Sequence, residues 1–181
     1  GVGDVTDVMR VVVPEFTIKQ MGQSSPFSDQ ENILTVTLQS AFDLSDTYSS
    51  RVTISNLQGA IITGNKVLLI SGGDGTAGPE LFCSEIGEQG YGTWRDDTKS
   101  LVVVLCPGST MIADQIYLFS FSVLNPEDGQ SSPDVQIEAY DVGLPIPRSA
   151  VAKDYTTVIN SIPGGAEVMW VLFRDFTTTA V

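Results

Sequence analysis

Three pairs of acidic residues are the side chains whose type and spacing could carry chemistry. They are Asp43 with Asp46, Asp96 with Asp97, and Glu127 with Asp128. Two carboxylates about 5 Å apart can hydrolyse a glycosidic bond, and clustered carboxylate oxygens can hold calcium. All three pairs lie in stretches of turn composition, where aspartate bonds to its own backbone. We therefore expect solvated turn acids, with a loose calcium site between two such loops as the open alternative.

A glycine-rich stretch at residues 71–75, SGGDG, resembles a phosphate or calcium loop. A phosphate loop ends in Gly-Lys-Ser/Thr before a helix, and that ending is missing. A calcium loop needs oxygens at alternate positions, whereas Asp74 is the one side-chain carboxylate here and Glu80 stands well apart from it. We interpret the stretch as a structural loop, and we predict neither a metal site nor a cofactor site.

The sequence contains no histidine, which removes the commonest general base and the commonest transition-metal ligand. No serine or cysteine can therefore draw on a histidine base, and no Ser-x-x-Lys motif is present. We predict no catalytic residue and no enzymatic activity. Tyr91, Trp94 and Trp170 could stack on a sugar, although aromatic residues at strand positions belong more often to the core.

Composition limits the partners. The chain has 22 acidic and 9 basic residues, a net charge of −13, in 181 residues. Such an acidic surface repels phosphate backbones and anionic lipids. We therefore expect no nucleic-acid partner. No run approaches the roughly 20 apolar residues of a membrane-spanning helix, so we expect no membrane insertion. The chain begins with Gly1 and ends in a threonine-rich stretch, and we expect a processed or partial gene product.

Two cysteines, Cys83 and Cys106, lie in or beside predicted strands. An even cysteine count predicts a disulfide if the protein is secreted, which the acidic, lysine-poor composition favours. Two buried free thiols are the alternative. The disulfide is our prediction, and it agrees with an extracellular or cell-surface location.

Strands are predicted from apolar residues that recur at every second position. In residues 116–124 the shared face carries Tyr117, Phe119, Phe121 and Val123, and the alternation resumes at Val135, Ile137 and Ala139. The turn signals between the two runs predict a core hairpin over residues 116–139. Residues 91–105 predict a second hairpin, whose turn is the polar tetrad 96–99.

Further strands are predicted at residues 32–38, with Leu34, Val36 and Leu38 inward, and at 50–57. Two prolines in residues 143–148 predict an extended stretch outside any ladder. Nine or ten short strands without a long helical segment predict an all-β fold, an immunoglobulin-like β-sandwich. We assign the sandwich to residues 23–181 and an N-terminal arm to residues 1–22.

Both ends of the chain are unusually apolar for terminal segments. The residues concerned are Val8, Val12, Phe16 and Ile18 at the start, and Val168, Trp170, Leu172 and Phe176 in a predicted final strand over residues 166–176. Either both ends fold into their own sandwich, or one inserts into a neighbour by β-strand addition and so builds a filament. We predict exchange, with the N-terminal arm as the donor, because Pro14 suits an edge or a bend and residues 22–29 could act as a hinge.

The stretches ENILTVTLQSAFDLSDTYSSRVTISNLQGA (31–60) and QIYLFSFSVLNPEDGQSSPDVQIEA (115–139) resemble the β-sandwich modules of large secreted cell-surface proteins of algae and other protists. The resemblance extends over residues 31–139 and carries no catalytic signature. It implies structural or adhesive use outside the cell. We therefore expect an extracellular subunit that polymerises with copies of itself. The alternative is a carbohydrate-binding or adhesive module with glycan partners, with or without calcium.

Overall fold

The computed structural model describes residues 13–48, 50–71, 78–141, 143–153 and 157–173. Its thirteen strands are β1 (Phe16–Gln23), β2 (Glu31–Ser40), β3 (Leu44–Ser45), β4 (Arg51–Ser55), β5 (Lys66–Leu68), β6 (Ile70–Ser71), β7 (Phe82–Cys83), β8 (Tyr91–Arg95), β9 (Ser100–Leu105), β10 (Thr110–Met111), β11 (Ile116–Leu124), β12 (Gln136–Tyr140) and β13 (Ile146–Ala150). Four of these contain two residues each, which leaves nine longer strands among the described residues. Short 3-10 helices at Asp46–Tyr48 and Pro79–Leu81 complete the secondary structure.

Two main antiparallel sheets form the fold. The smaller sheet has the order β1-β2-β11-β6, and the larger has the order β13-β12-β4-β9-β8-β5 with β7 also paired to β9. A separate two-stranded sheet joins β10 to β3. This arrangement confirms the predicted all-β sandwich, while the immunoglobulin-like arrangement stays a prediction. No helix among the described residues is long and apolar enough to cross a membrane.

The core lies between the two main sheets and follows the predicted alternation. Leu34, Val36 and Leu38 on β2 are buried, and so are all four predicted inward residues of β11, from Tyr117 to Val123. Phe82 and Phe119 meet across the core, edge to face, with ring centroids 5.1 Å apart. A ring pair of this kind adds about 0.5–1.5 kcal/mol to the burial of its surface.

The predicted core hairpin is wrong in its pairing. Strand β11 pairs with β2 and β6, whereas β12 pairs with β4 and β13 in the other sheet. The chain therefore crosses from one sheet to the other between Leu124 and Gln136. Turn residues mark the end of a strand, but they do not specify which sheet the next strand joins. The second predicted hairpin is confirmed, since β8 pairs with β9 around residues 96–99.

Two further expectations are corrected at the end of the chain. Residues 146–148 belong to strand β13, where Pro147 is tolerated because β13 is an edge strand with a register shift opposite β12. Residues 166–173 form turns and isolated bridges rather than the predicted strand. Met169, in the middle of that stretch, has φ +56°, which a continuous strand does not accommodate.

Candidate functional site

The predicted disulfide is present. Cys83 lies in β7 and Cys106 directly follows β9, and their sulfur atoms are bonded with a Cα–Cα distance of 5.0 Å. Strand β7 pairs with β9 through Phe82 and Cys83, so the backbone pairing itself brings the two cysteines together. Both cysteines are buried. The bond therefore closes a 23-residue separation inside the larger sheet.

The described half of the predicted N-terminal arm belongs to the sandwich. Phe16 and Ile18 lie in β1, which pairs with β2 from Phe16↔Ser40 to Gln23↔Leu34. Phe16 is buried in the core, and a register shift separates it from Ile18. Val8 and Val12 lie outside the described residues. The boundary that we placed after residue 22 is thus corrected. The sandwich includes the chain from Phe16 onward, because β1 pairs with β2 from that residue.

The C-terminal segment, defined as residues 157–173, packs into a cleft of the same chain. Val168 is fully buried, Trp170 and Leu172 are half-buried, and Phe176 lies outside the described residues. Isolated bridges join Glu167 to Gly22, Leu172 to Phe27 and Val171 to Gln130. The segment buries apolar side chains as the sequence led us to expect, but it does so without a strand ladder.

Side-chain amides take the place of that ladder. The buried amide of Gln23 donates from Nε2 to the carbonyls of Gly165 at 3.0 Å and Trp170 at 2.8 Å. Its Oε1 accepts the backbone N–H of Met169 at 2.8 Å. Gln130 donates from Nε2 to the Met169 carbonyl at 2.8 Å. We name the site formed by Gln23 and Gln130 the amide cleft. In it the two side-chain amides bind the backbone of the C-terminal segment.

A second amide pair fixes the chain that leads from β1 to β2. The Oδ1 of Asn32 accepts the backbone N–H groups of Ser24 at 3.0 Å and Ser25 at 3.2 Å. Asn125 donates from Nδ2 to the carbonyls of Ser25 and Phe27. Residues 22–29, which we expected to act as a hinge, are therefore held by buried hydrogen bonds.

The outer face of the smaller sheet carries exposed apolar side chains among polar ones. Five branched side chains there are 40–46% exposed: Ile33, Ile61, Ile70, Ile116 and Leu124. The strand register places them on one side, because Ile33 lies opposite Ser122, Ile70 opposite Ser120 and Leu124 opposite Glu31. We name this surface the apolar face. Several exposed apolar side chains on one face make that face a candidate contact surface.

The outer face of the larger sheet is polar and forms an open groove of about 570 Å³. Apart from Val102, its lining consists of hydroxyl, amide and charged side chains from β4, β9, β12 and their neighbours: Arg51, Thr53, Ser55, Asn56, Arg95, Thr98, Ser100, Asp134, Gln136, Glu138 and Arg148. We name it the polar groove. The alternation of β4 and β12 produces it, because Thr53 and Glu138 pair directly, as do Ser55 and Gln136.

Ion pairs balance most of the charge in the polar groove. Arg148 donates to both carboxylate oxygens of Glu138, at 2.8 and 3.3 Å, and this contact raises the pKa of the guanidinium. Arg95 pairs with Glu85 at 2.7 Å. Arg51 lies over the ring of Tyr140, 4.9 Å from its centroid. Of the five arginines in the sequence, three line this groove.

Three of the predicted turn acids accept hydrogen bonds, two of them from the backbone. Asp43 accepts the N–H of Ala113, and Asp46 accepts the N–H of Gly108. Asp96 bonds to Lys99 at 2.6 Å and to the indole of Trp94 at 3.3 Å, and these contacts lower its pKa. Among the described residues no three acidic or cysteine side chains lie together as metal ligands. Most of the loop at 71–75 lies outside the described residues.

The three aromatic residues considered for sugar stacking occupy other places. Trp94 is 2% exposed and belongs to the core. The ring of Tyr91 lies under the ammonium group of Lys66, 4.7 Å from it, and Trp170 lies in the C-terminal segment.

Sequence reasoning missed the polar groove, although its signal was present: the outward positions of residues 51–55 and 136–140 are polar on two strands that pair.

The sequence was also compared with known protein families and with characterised proteins. No family matches the chain, and no characterised protein matches it.

Proposed function

We propose that this chain is an extracellular structural subunit that self-assembles head to tail into a filament, and that the exchanged element is the C-terminal segment. The all-β sandwich and its disulfide support a protein of the oxidising extracellular space. The amide cleft carries the proposal. It holds a terminal, largely apolar peptide through side-chain amides and isolated bridges rather than through a strand ladder.

An amide cleft without its peptide would be unfavourable in free energy, because buried polar groups would lose their hydrogen bonds. Without residues 165–170, the buried amide of Gln23 would lose three of its hydrogen bonds. Each buried polar group left without a partner costs about 1–3 kcal/mol. The same segment of a second copy offers the same carbonyl and N–H groups. Exchange therefore conserves every bond of the cleft, as is usual when identical protomers swap an element.

The C-terminal segment is a better donor than the N-terminal one. Strand β1 is bonded to β2 at seven paired positions, and Asn32 and Asn125 fix the chain that follows it. Removing β1 would break a ladder and uncover Phe16. The C-terminal segment also buries two core residues, Val168 and Met169, but it is bound without a continuous ladder, through three isolated bridges and the two glutamines. We therefore favour residues 157–173 as the exchanged element over the arm that the sequence suggested.

The apolar face supports the same proposal independently. A face with five half-exposed branched side chains would be covered in an assembly and exposed in a separate monomer. Contact between copies at this face would add stability to a filament at roughly 25 cal/mol for each Å² of apolar surface buried. Exchange of the segment supplies the specific link, and the apolar face supplies additional contact area.

A disulfide trap tests the exchange. The bridge between Gly22 and Glu167 is antiparallel, and the N–H of Gln23 bonds to the carbonyl of Ala166. This is a non-hydrogen-bonded pair, whose Cα atoms lie about 4.5 Å apart, within the range that a disulfide spans. A Cβ at Gly22 would meet only the Ala166 carbonyl, at 3.8 Å. The variant Gly22→Cys/Glu167→Cys should therefore form the bond without disturbing the fold.

Assembled protein is oxidised and analysed on non-reducing gels, beside electron micrographs of the same sample. Exchange between subunits gives a ladder of covalently linked chains that disappears with reductant. A single monomer band from a sample that contains filaments would refute the exchange, and dispersed particles at every concentration would refute the assembly. The single variants Gly22→Cys and Glu167→Cys are the controls and should give no ladder.

A further inference from the structure

We propose that the polar groove on the larger sheet binds a neutral, hydroxyl-rich polysaccharide chain. This binding site is separate from the amide cleft and the apolar face, so polysaccharide binding can be tested whether or not the chain assembles. The inference rests on the shape of the groove, on the hydrogen-bonding groups that line it, and on its charge balance.

The groove runs across the paired strands β12, β4 and β9. Val102 lies on the outer face of β9 and lines the groove, yet it is only 1% exposed. Val102 therefore lies at the floor of the groove, and the longer side chains around it form the walls. An open groove of about 570 Å³ suits a chain that passes through. An end-on pocket for one small molecule would be more enclosed.

The groove presents donors and acceptors close together, as vicinal hydroxyl groups require. Within the described part of the chain, the hydroxyls of Thr53 and Ser55 make no hydrogen bond, although both side chains are half-buried. Other lining groups are already occupied: Thr98 bonds to Ser100 at 2.7 Å, and Asn56 donates to the carbonyl of Asp134 at 2.9 Å. Adjacent hydroxyls two positions apart on β4 are thus available to a ligand.

The charges favour a neutral ligand over an acidic one. The lining holds three arginines, Asp134 and Glu138. From outside the lining, Glu85 pairs with Arg95 and Lys153 pairs with Asp134. The guanidinium groups of Arg95 and Arg148 are each paired with a carboxylate, which reduces the positive charge that a ligand carboxylate would meet. An Arg–Glu pair instead offers a donor and an acceptor to one sugar hydroxyl pair. The net charge of −13 on the chain also repels a polyanion.

Tyr140 supplies an apolar surface at one end. It is 48% exposed, and with Pro145, Pro147 and Arg51 it lines a smaller hollow that continues the groove past Thr53 and Glu138. The ring of a tyrosine combines an apolar body with a polar hydroxyl, which suits the C–H face and the hydroxyls of a sugar ring.

Affinity electrophoresis of the full chain tests the proposal. Native gels contain xylan, galactomannan or mixed-linkage β-glucan as neutral polysaccharides, and polygalacturonate or alginate as acidic ones. We expect at least one neutral polysaccharide to retard the protein. The variant Thr53→Val/Ser55→Ala should weaken the binding constant about tenfold, since two hydrogen bonds of about 0.5–1.5 kcal/mol each are lost. Thr37→Val, on the smaller sheet and outside the groove, is the matched control and should leave the retardation by polysaccharide unchanged.

Each remaining outcome overturns the inference. If none of the neutral polysaccharides retards the protein, neutral polysaccharides are not its ligands. If only the acidic polysaccharides retard it, the ligand class is acidic rather than neutral. Equal retardation of the native chain and of the Thr53→Val/Ser55→Ala variant removes the site. Thermal unfolding of both variants shows that they are folded, and electron micrographs show whether assembly is unaffected.

Discussion

Asn32 and Asn125 meet side chain to side chain, with Nδ2 of Asn32 donating to Oδ1 of Asn125 at 2.9 Å, although 93 residues separate them. Neither side chain has any exposed surface. Asn32 begins the inward face of β2, and Asn125 directly follows β11, so the contact fixes the ends of two neighbouring strands. Asn32 also donates to Oε1 of Gln23 at 3.0 Å, which links this contact to the amide cleft.

Replacement of Asn32 should therefore destabilise the fold strongly. Asn32→Ala leaves the N–H of Ser25 and the Oδ1 of Asn125 without a partner, while the N–H of Ser24 keeps its bond to the Ile33 carbonyl. Since each buried unsatisfied group costs about 1–3 kcal/mol, we expect a loss of about 3 kcal/mol or more in the free energy of unfolding. Urea unfolding monitored by tryptophan fluorescence measures it. Asn65→Ala, at an exposed position, is the control and should stay within about 0.5 kcal/mol.

Gly59 should be far less replaceable than Gly64, although both have positive φ, +81° and +86°. A Cβ at Gly64 meets nothing within 4 Å, whereas one at Gly59 would collide with the side-chain amide of Gln130. Gly64→Ala should cost about 1 kcal/mol from backbone strain alone. Gly59→Ala should cost about 1–3 kcal/mol more, because overpacking displaces the glutamine that binds Met169. Equal losses in urea unfolding would show that Gln130 moves aside freely.

Removal of the disulfide should weaken the sandwich without changing its strand order. Cys83→Ala/Cys106→Ala releases a 23-residue separation, which on the chain-entropy model costs about 3 kcal/mol. Differential unfolding of the native and doubly substituted chains in urea gives the value. Because both cysteines are buried, the native bond should also resist reductant until the protein unfolds. Rapid reduction in the absence of denaturant would contradict this.

The Asp96–Lys99 contact should give a pH signature in the acid range. Hydrogen bonds from Lys99, and then from the Trp94 indole, lower the pKa of Asp96 below its ordinary 3.8. A lowered carboxyl pKa contributes stability above the unfolded value, and this contribution is lost as the pH falls through the folded one. Lys99→Met should raise the Asp96 pKa toward 3.8, as measured by NMR of the carboxyl carbon. Lys66→Met, which removes a different ion pair, should leave that titration in place.

Residue alternation predicted the faces of individual strands well. The inward residues of β2, β4 and β11 could be read from the sequence because the two-residue period depends on neighbouring positions alone. The turn at residues 96–99 could be read for the same reason. The pairing of β12 with β4 could not be predicted, because the residues of β4 lie more than 80 positions away in the sequence.

The C-terminal segment shows a second limit of sequence reasoning. Its apolar residues predicted burial, and Val168 and Val171 are indeed buried. The backbone partners of Met169, however, are the side-chain amides of Gln23 and Gln130, which lie 146 and 39 residues from it. A glutamine inside a strand usually indicates an exposed position. Without the neighbouring segment in place, nothing near Gln23 in the sequence distinguishes a buried amide from a solvated one.

Both borders of the larger sheet are closed to further strands. On one side β13 carries Pro147, which has no N–H to give, and on the other β5 extends over three residues and begins with Lys66. Short strands, proline and lysine are the devices that keep sheet borders from templating new strands. Sideways pairing through the larger sheet is thereby suppressed. Any polymer of this chain would therefore grow through contacts other than strand pairing at these two borders.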